Sequence, residues 1–98
     1  MKKLLAVLLL LPSAAFAADS VIVQKGRAFN PKEVAIVRGD TLTFTNEDEF
    51  IHQMYASDLF DSDEKRPGQK LTESFPRSGT FEVRCHIHPK MKLVVRVN

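Results

Sequence analysis

The residues best suited to chemistry lie in one short run, Cys85-His86-Ile87-His88-Pro89-Lys90-Met91. It gathers a thiol, two imidazoles and a thioether. Cys85 is the single cysteine of the chain, and the third histidine, His52, stands far upstream beside a strand-like stretch. Thiolate and thioether are soft donors, and a His₂Cys plane with a weak axial Met is the ligand set of an electron-transfer copper centre. The spacing Cys85-x-x-His88-x-x-Met91 is therefore the most informative feature of the sequence.

The compartment sharpens that reading. Lys2 and Lys3 precede an unbroken apolar run from Leu4 to Leu11, and Pro12 leads into Ala15-Phe16-Ala17, an A-x-A cleavage signature. Residues 1–17 read as a secretory signal, with the mature protein, residues 18–98, in the periplasm. The apolar run is well short of the ~20 residues a spanning helix needs, so no membrane association is expected after cleavage. No cysteine follows the run, which argues against a lipid anchor. A lone cysteine in an exported chain cannot close an internal disulfide. Two histidines directly after it make metal ligation the better reading than an inert thiol.

Mature length and charge exclude other classes. About eighty residues make one small domain with a thin core, a size at which a bound metal adds useful stability. The full chain has 14 basic and 12 acidic residues. Two of the basic ones leave with the leader, so the domain is neutral and nothing points to nucleic acid. Charge is segregated: Glu47, Asp48, Glu49, Asp58, Asp61, Asp63 and Glu64 fall in a stretch without Lys or Arg, and basic residues dominate after it. Solvated loops account for this; a surface that steers a redox partner is the sharper reading.

Those ligand types need rigid elements to hold them, and the rest of the chain reads as strands. Val21-Ile22-Val23, Val34 to Val37, Thr41 to Thr45, Ile51 to Ala56, Leu71 to Phe75, Phe81 to Cys85 and Met91 to Val97 are short apolar or alternating runs. Turn residues separate them. About seven strands predict an all-β Greek-key sandwich or barrel. Residues 57–70 are expected to form a long excursion. Period-two alternation turns Leu42 and Phe44 inward and puts Phe81, Val83 and Cys85 on one face. Cys85 should then point inward at the end of a core strand, with His88 and Met91 on the following loop. His86 alternates away from Cys85 and is expected on the surface. Met54 is expected in the core, and Glu47, Asp48 and Glu49 in a solvated loop.

On these residues the chain resembles the cupredoxins, the small blue copper proteins of the amicyanin, plastocyanin and pseudoazurin group. Phe29-Asn30-Pro31, the run Val37 to Asn46, His52, and Ser78 to Cys85 fall in the family's order, and the short Cys85-to-Met91 loop is similar to that of amicyanin. The resemblance implies one type 1 copper ion held by His52, Cys85 and His88, with Met91 axial. It also implies a carrier of single electrons rather than an enzyme. The partner would be a cytochrome or a copper- or quinoprotein enzyme, met at His88 with Lys90 and Lys92 nearby, and the carrier would be a monomer. Ile87 stands where several relatives have Pro. Its N–H is expected to donate a second hydrogen bond to the Cys85 sulfur and so raise the potential above that of an Ile87→Pro variant. Two other readings remain: copper sequestration, delivery or tolerance, and a zinc module. Two mature methionines without a Met- or His-rich tail weigh against the first. Met91 weighs against the second, since zinc rarely takes a thioether.

Overall fold

A computed structural model describes residues 17–98, so the leader reading lies outside the described residues except at Ala17. Nine strands follow in order: β1 (Asp19–Lys25), β2 (Ala28–Asn30), β3 (Glu33–Ile36), β4 (Thr41–Asn46), β5 (Met54–Ala56), β6 (Phe60–Asp61), β7 (Lys70–Ser74), β8 (Gly79–Cys85) and β9 (Lys92–Val97). They form two sheets, ordered β2-β1-β4-β7 and β3-β9-β8-β5-β6. β1 runs parallel to β4 and β3 parallel to β9, and the other pairs are antiparallel. The result is an all-β sandwich.

Alternation along each strand builds the core. Ile22 on β1, Leu42 and Phe44 on β4, Val83 and Cys85 on β8, and Leu93, Val95 and Val97 on β9 are all buried. Between them runs a series of aromatic edges, with Phe29–Phe44, Phe44–Phe60, Phe60–Phe75 and Phe75–Phe81 centroids 6.0 to 6.3 Å apart. Such spacing is favourable for offset or edge-on rings and suits a core too small for many aliphatic layers. Before β4 the chain reverses at Gly39, whose φ of 93° favours a residue without a Cβ. Asp40 closes this turn by accepting from the Val37 and Ala18 N–H groups at 2.9 and 3.0 Å. Those two bonds hold its carboxyl below the ordinary carboxylate value.

Two departures from the expected strands bear on the site. The predicted strand over residues 51–56 shrinks to Met54–Ala56. His52 is held instead by an isolated pair of backbone bonds with Lys65, at 2.9 and 2.7 Å. The expected excursion at 57–70 thus carries β6 and the strut that fixes His52. Periodicity could not show this, because two-residue pairings carry no pattern of their own. The count of nine against about seven reflects the short β2 and β6.

Candidate metal centre

Three elements bring the donors to one end of the sandwich. β8 delivers Cys85 from the core face, where it lies opposite Met54 of β5. The Lys65 strut delivers His52. The β8–β9 loop delivers His88, and a Met91 N–H bond to the His88 carbonyl at 3.0 Å tightens that loop. Cys85 Sγ lies 3.7 Å from His52 Nδ1 and 3.9 Å from His88 Nδ1, and the two Nδ1 atoms are 3.2 Å apart. A triangle of this size is what bonds of about 2.0 Å from nitrogen and about 2.3 Å from sulfur make around one ion. His52, Cys85 and His88 form one donor cluster of this kind among the described residues. Met91, 2% exposed, is buried at the end of the same loop. The His-Cys-His set with Met91 fits a type 1 copper site.

Burial differs between the two imidazoles. His52 is fully buried, whereas His88 is half-buried beside exposed Ile87. Phe50 meets the His88 ring edge-on at 5.9 Å, and the Arg27 guanidinium lies 4.0 Å over the Phe50 ring. Burial, then the electrostatic influence of the His52 ring and of the Arg27 guanidinium, hold the His88 pKa below its ordinary 6.5, with Asp48 partly opposing them. The neutral ring, which has one unprotonated nitrogen to offer, is therefore favoured over the imidazolium. In the metal-free protein the unfolded chain then takes up the His88 proton before the folded one does. Its contribution to stability is complete above 6.5 and is lost as pH falls from there through the depressed folded value. Urea unfolding of metal-free wild type and His88→Gln over this window measures it. A wild type whose stability rises relative to the variant on acidification contradicts the assignment.

The acidic loop is not wholly solvated, contrary to expectation. Glu47 and Glu49 are exposed, but Asp48 is only 8% exposed. Its Oδ2 accepts the Arg27 N–H at 2.8 Å and lies 3.0 Å from His52 Nε2, and its Oδ1 accepts the Glu49 N–H at 3.1 Å. Burial pushes its carboxyl up, but the Arg27 N–H, the His52 ring and the Glu49 N–H outweigh this and leave it below the ordinary value. Asp48 lies outside the donor cluster, against the far ring nitrogen of His52. Asn46, also buried, ties the loop together. Its Nδ2 donates to the carbonyls of Phe50 and Lys65 at 2.8 and 2.9 Å, and its Oδ1 accepts from Asp48 N at 2.9 Å. Sequence reasoning missed both residues, although the β4 alternation extended past Thr45 puts Asn46 and Asp48 on the Leu42/Phe44 face.

The sulfur is also served differently from the expectation. The backbone N–H directed at Cys85 Sγ belongs to Gln53, at 3.5 Å, and not to Ile87. The ladder explains this: His86 N donates to the Gln53 carbonyl at 2.8 Å, which draws the Gln53 peptide against Cys85. The expected drop in potential for Ile87→Pro therefore loses its basis. His86 points outward, stacked on Tyr55 with centroids 4.1 Å apart and 2.9 Å from Asp61 Oδ1. Met54 is buried in the core, and Lys90 and Lys92 are exposed around the loop.

No family model matches the chain, and no curated protein matches it by sequence. Solved structures do match. A purple cupredoxin from Nitrosopumilus maritimus superposes with a TM-score of 0.76 at 24% identity, over 82% of this chain and 100% of that one. A reduced variant of amicyanin gives 0.76 at 21% identity, over 82% of both chains. A Cu-containing nitrite reductase from Thermus scotoductus gives 0.74 at 28% identity over 82% of this chain, which spans only 22% of the reductase. Two mixed sheets, a donor cluster at one end and these superpositions together establish that the chain has the cupredoxin fold.

Proposed function

We propose that this protein is a periplasmic, monomeric carrier of single electrons that binds one copper ion through His52, Cys85, His88 and Met91. The observation carrying the proposal is the convergence of Cys85 Sγ with two Nδ1 atoms within 4.8 Å of one another. Copper in such a set supplies one electron between its cupric and cuprous forms. The chain's own residues do the rest. Cys85 and His52 are buried and would keep water from a bound metal, while His88, half-buried, is the side through which an electron would leave. Strand ends and the tied loops fix the donors, so that both oxidation states would be met without rearrangement. Four protein donors leave no open position for a substrate, which favours a carrier over an enzyme.

The surroundings of His88 suit an acidic redox partner. Arg27, Lys90, Pro89 and Ile87 line a cavity of about 340 Å³ with His88 and Met91, an apolar patch rimmed by positive charge. Export is supported by the leader motif and by the neighbourhood of its cut point. The Ala18 nitrogen sits 3.0 Å from Asp40 Oδ1, where cleavage after Ala17 would leave an ammonium facing a carboxylate. Sequestration or delivery is less favoured, because Met54 and Met91 are both buried and offer no exposed thioether for hand-off.

The test is the optical and EPR spectrum of the protein loaded with Cu(II), beside the same protein with Zn²⁺. An intense visible thiolate-to-copper absorption, absent with zinc, is expected. A spectrum without it rejects the assignment. Stopped-flow exchange with a cytochrome, set against copper transfer to a chelator, separates carrying electrons from delivering metal.

A further inference from the structure

Resting on the copper reading above, we propose that Asp48 is a positioning residue that sets both the tautomer and the charge of the His52 side of the centre. With Nε2–H held by the Asp48 carboxylate at 3.0 Å, Nδ1 is the ring nitrogen left to face Cys85 and His88. Metal-binding histidines are commonly oriented through the second ring nitrogen, and the partner on that nitrogen also tunes their basicity. A backbone carbonyl in this place would orient the ring without adding charge. A carboxylate does both.

Three features argue that the charge is delivered to the ring. Asp48 is buried, so water screens it little. Among the described residues no Lys or Arg pairs with it, and its side-chain partner is the His52 ring itself. Arg27 gives Asp48 its backbone N–H, but its guanidinium lies over Phe50 instead of neutralising the carboxylate. A negative charge behind the ring strengthens the nitrogen donor and favours the more highly charged, oxidised ion. The bonds from Arg27 N, Glu49 N and the Asp48–Asn46 turn keep the carboxylate from swinging away.

Asp48→Asn and Asp48→Ala separate this role from loop packing. The readouts are the reduction potential of the copper-loaded proteins and the His52 tautomer in the metal-free proteins, from ¹⁵N shifts of the ring. With its carbonyl oxygen toward His52 and Arg27, Asn keeps that acceptor, removes the charge and gives up the Glu49 N–H bond. Its metal-free tautomer is expected to match wild type, while the preference for Cu(I) over Cu(II) rises about tenfold, or 59 mV upward for a one-electron couple. Ala removes both, and mixed tautomers of His52 are expected. An unchanged potential in a folded Asn variant overturns the proposal and leaves Asp48 a loop anchor. So does a wild-type His52 without a proton on Nε2. A wild type that develops no thiolate-to-copper absorption defeats the copper reading itself, and it does so before either variant is compared.

Discussion

Replacing Cys85 by Ser removes the intense visible absorption of the copper-loaded protein and weakens its hold on Cu(I) by more than about 100-fold. Removing a ligand should exceed the 10–100-fold losses seen for groups behind ligands. The thiolate is the donor that selects copper in this set; a serine hydroxyl stays protonated and is harder. The fold should survive. Sγ already faces His52 Nδ1, His88 Nδ1 and the Gln53 N–H. A serine oxygen would find partners among the same groups, so burying it costs at most a few kcal/mol, about 1–3. Competition with a chromophoric Cu(I) chelator, with circular dichroism as the check on folding, measures the effect. A Ser variant that keeps wild-type affinity would remove Cys85 from the centre and the proposed function with it.

Asn46→Ala is the substitution outside the donor cluster expected to cost most. It deletes three bonds made by one fully enclosed amide, to Phe50 O, Lys65 O and Asp48 N. Lys65 O keeps its bond from the His52 N–H, but Phe50 O and Asp48 N lose their partner; at about 1–3 kcal/mol for each such group, a loss of about 2 kcal/mol or more is expected. That is a large share of the ~5–15 kcal/mol that a domain has. The loss reaches the centre because the same three groups anchor Phe50, the Lys65 strut of His52, and Asp48. Metal affinity should fall alongside the denaturant midpoint. Thr45→Ala serves as the control: its hydroxyl reaches Glu47 at 3.5 Å on the surface, and little change is expected. A loss below about 1 kcal/mol in Asn46→Ala would mean that water replaces the amide and the loop holds itself.

Local pattern was enough for the parts of this protein that depend on neighbours in sequence. Alternation along residues 41–45 and 81–85 told which side chains turn inward, because a pleated strand sends successive side chains to opposite faces. The same rule carried Cys85 to the core face and His86 to the surface. Had it been continued past Thr45, it would have brought in Asn46 and Asp48. Composition obscured them, since three acids in a row read as solvated when the burial of one is decided by what stands opposite. The donor types and the tight Cys85–Met91 spacing were equally legible, and they name the chemistry without reference to any fold.

Packing between distant segments decided the remainder. His52 and Cys85 are separated by 33 residues and His52 and His88 by 36, and no periodicity reports whether such pairs meet. The two-bond strut from Lys65 that holds His52, the choice of Gln53 over Ile87 as donor to sulfur, and the carboxylate turned toward His52 all arise where two or three segments press together. Each of those contacts depends on a register between strands far apart in the chain. Side-chain chemistry is written one residue at a time, but which lone pair faces which proton is set only when the two sheets close.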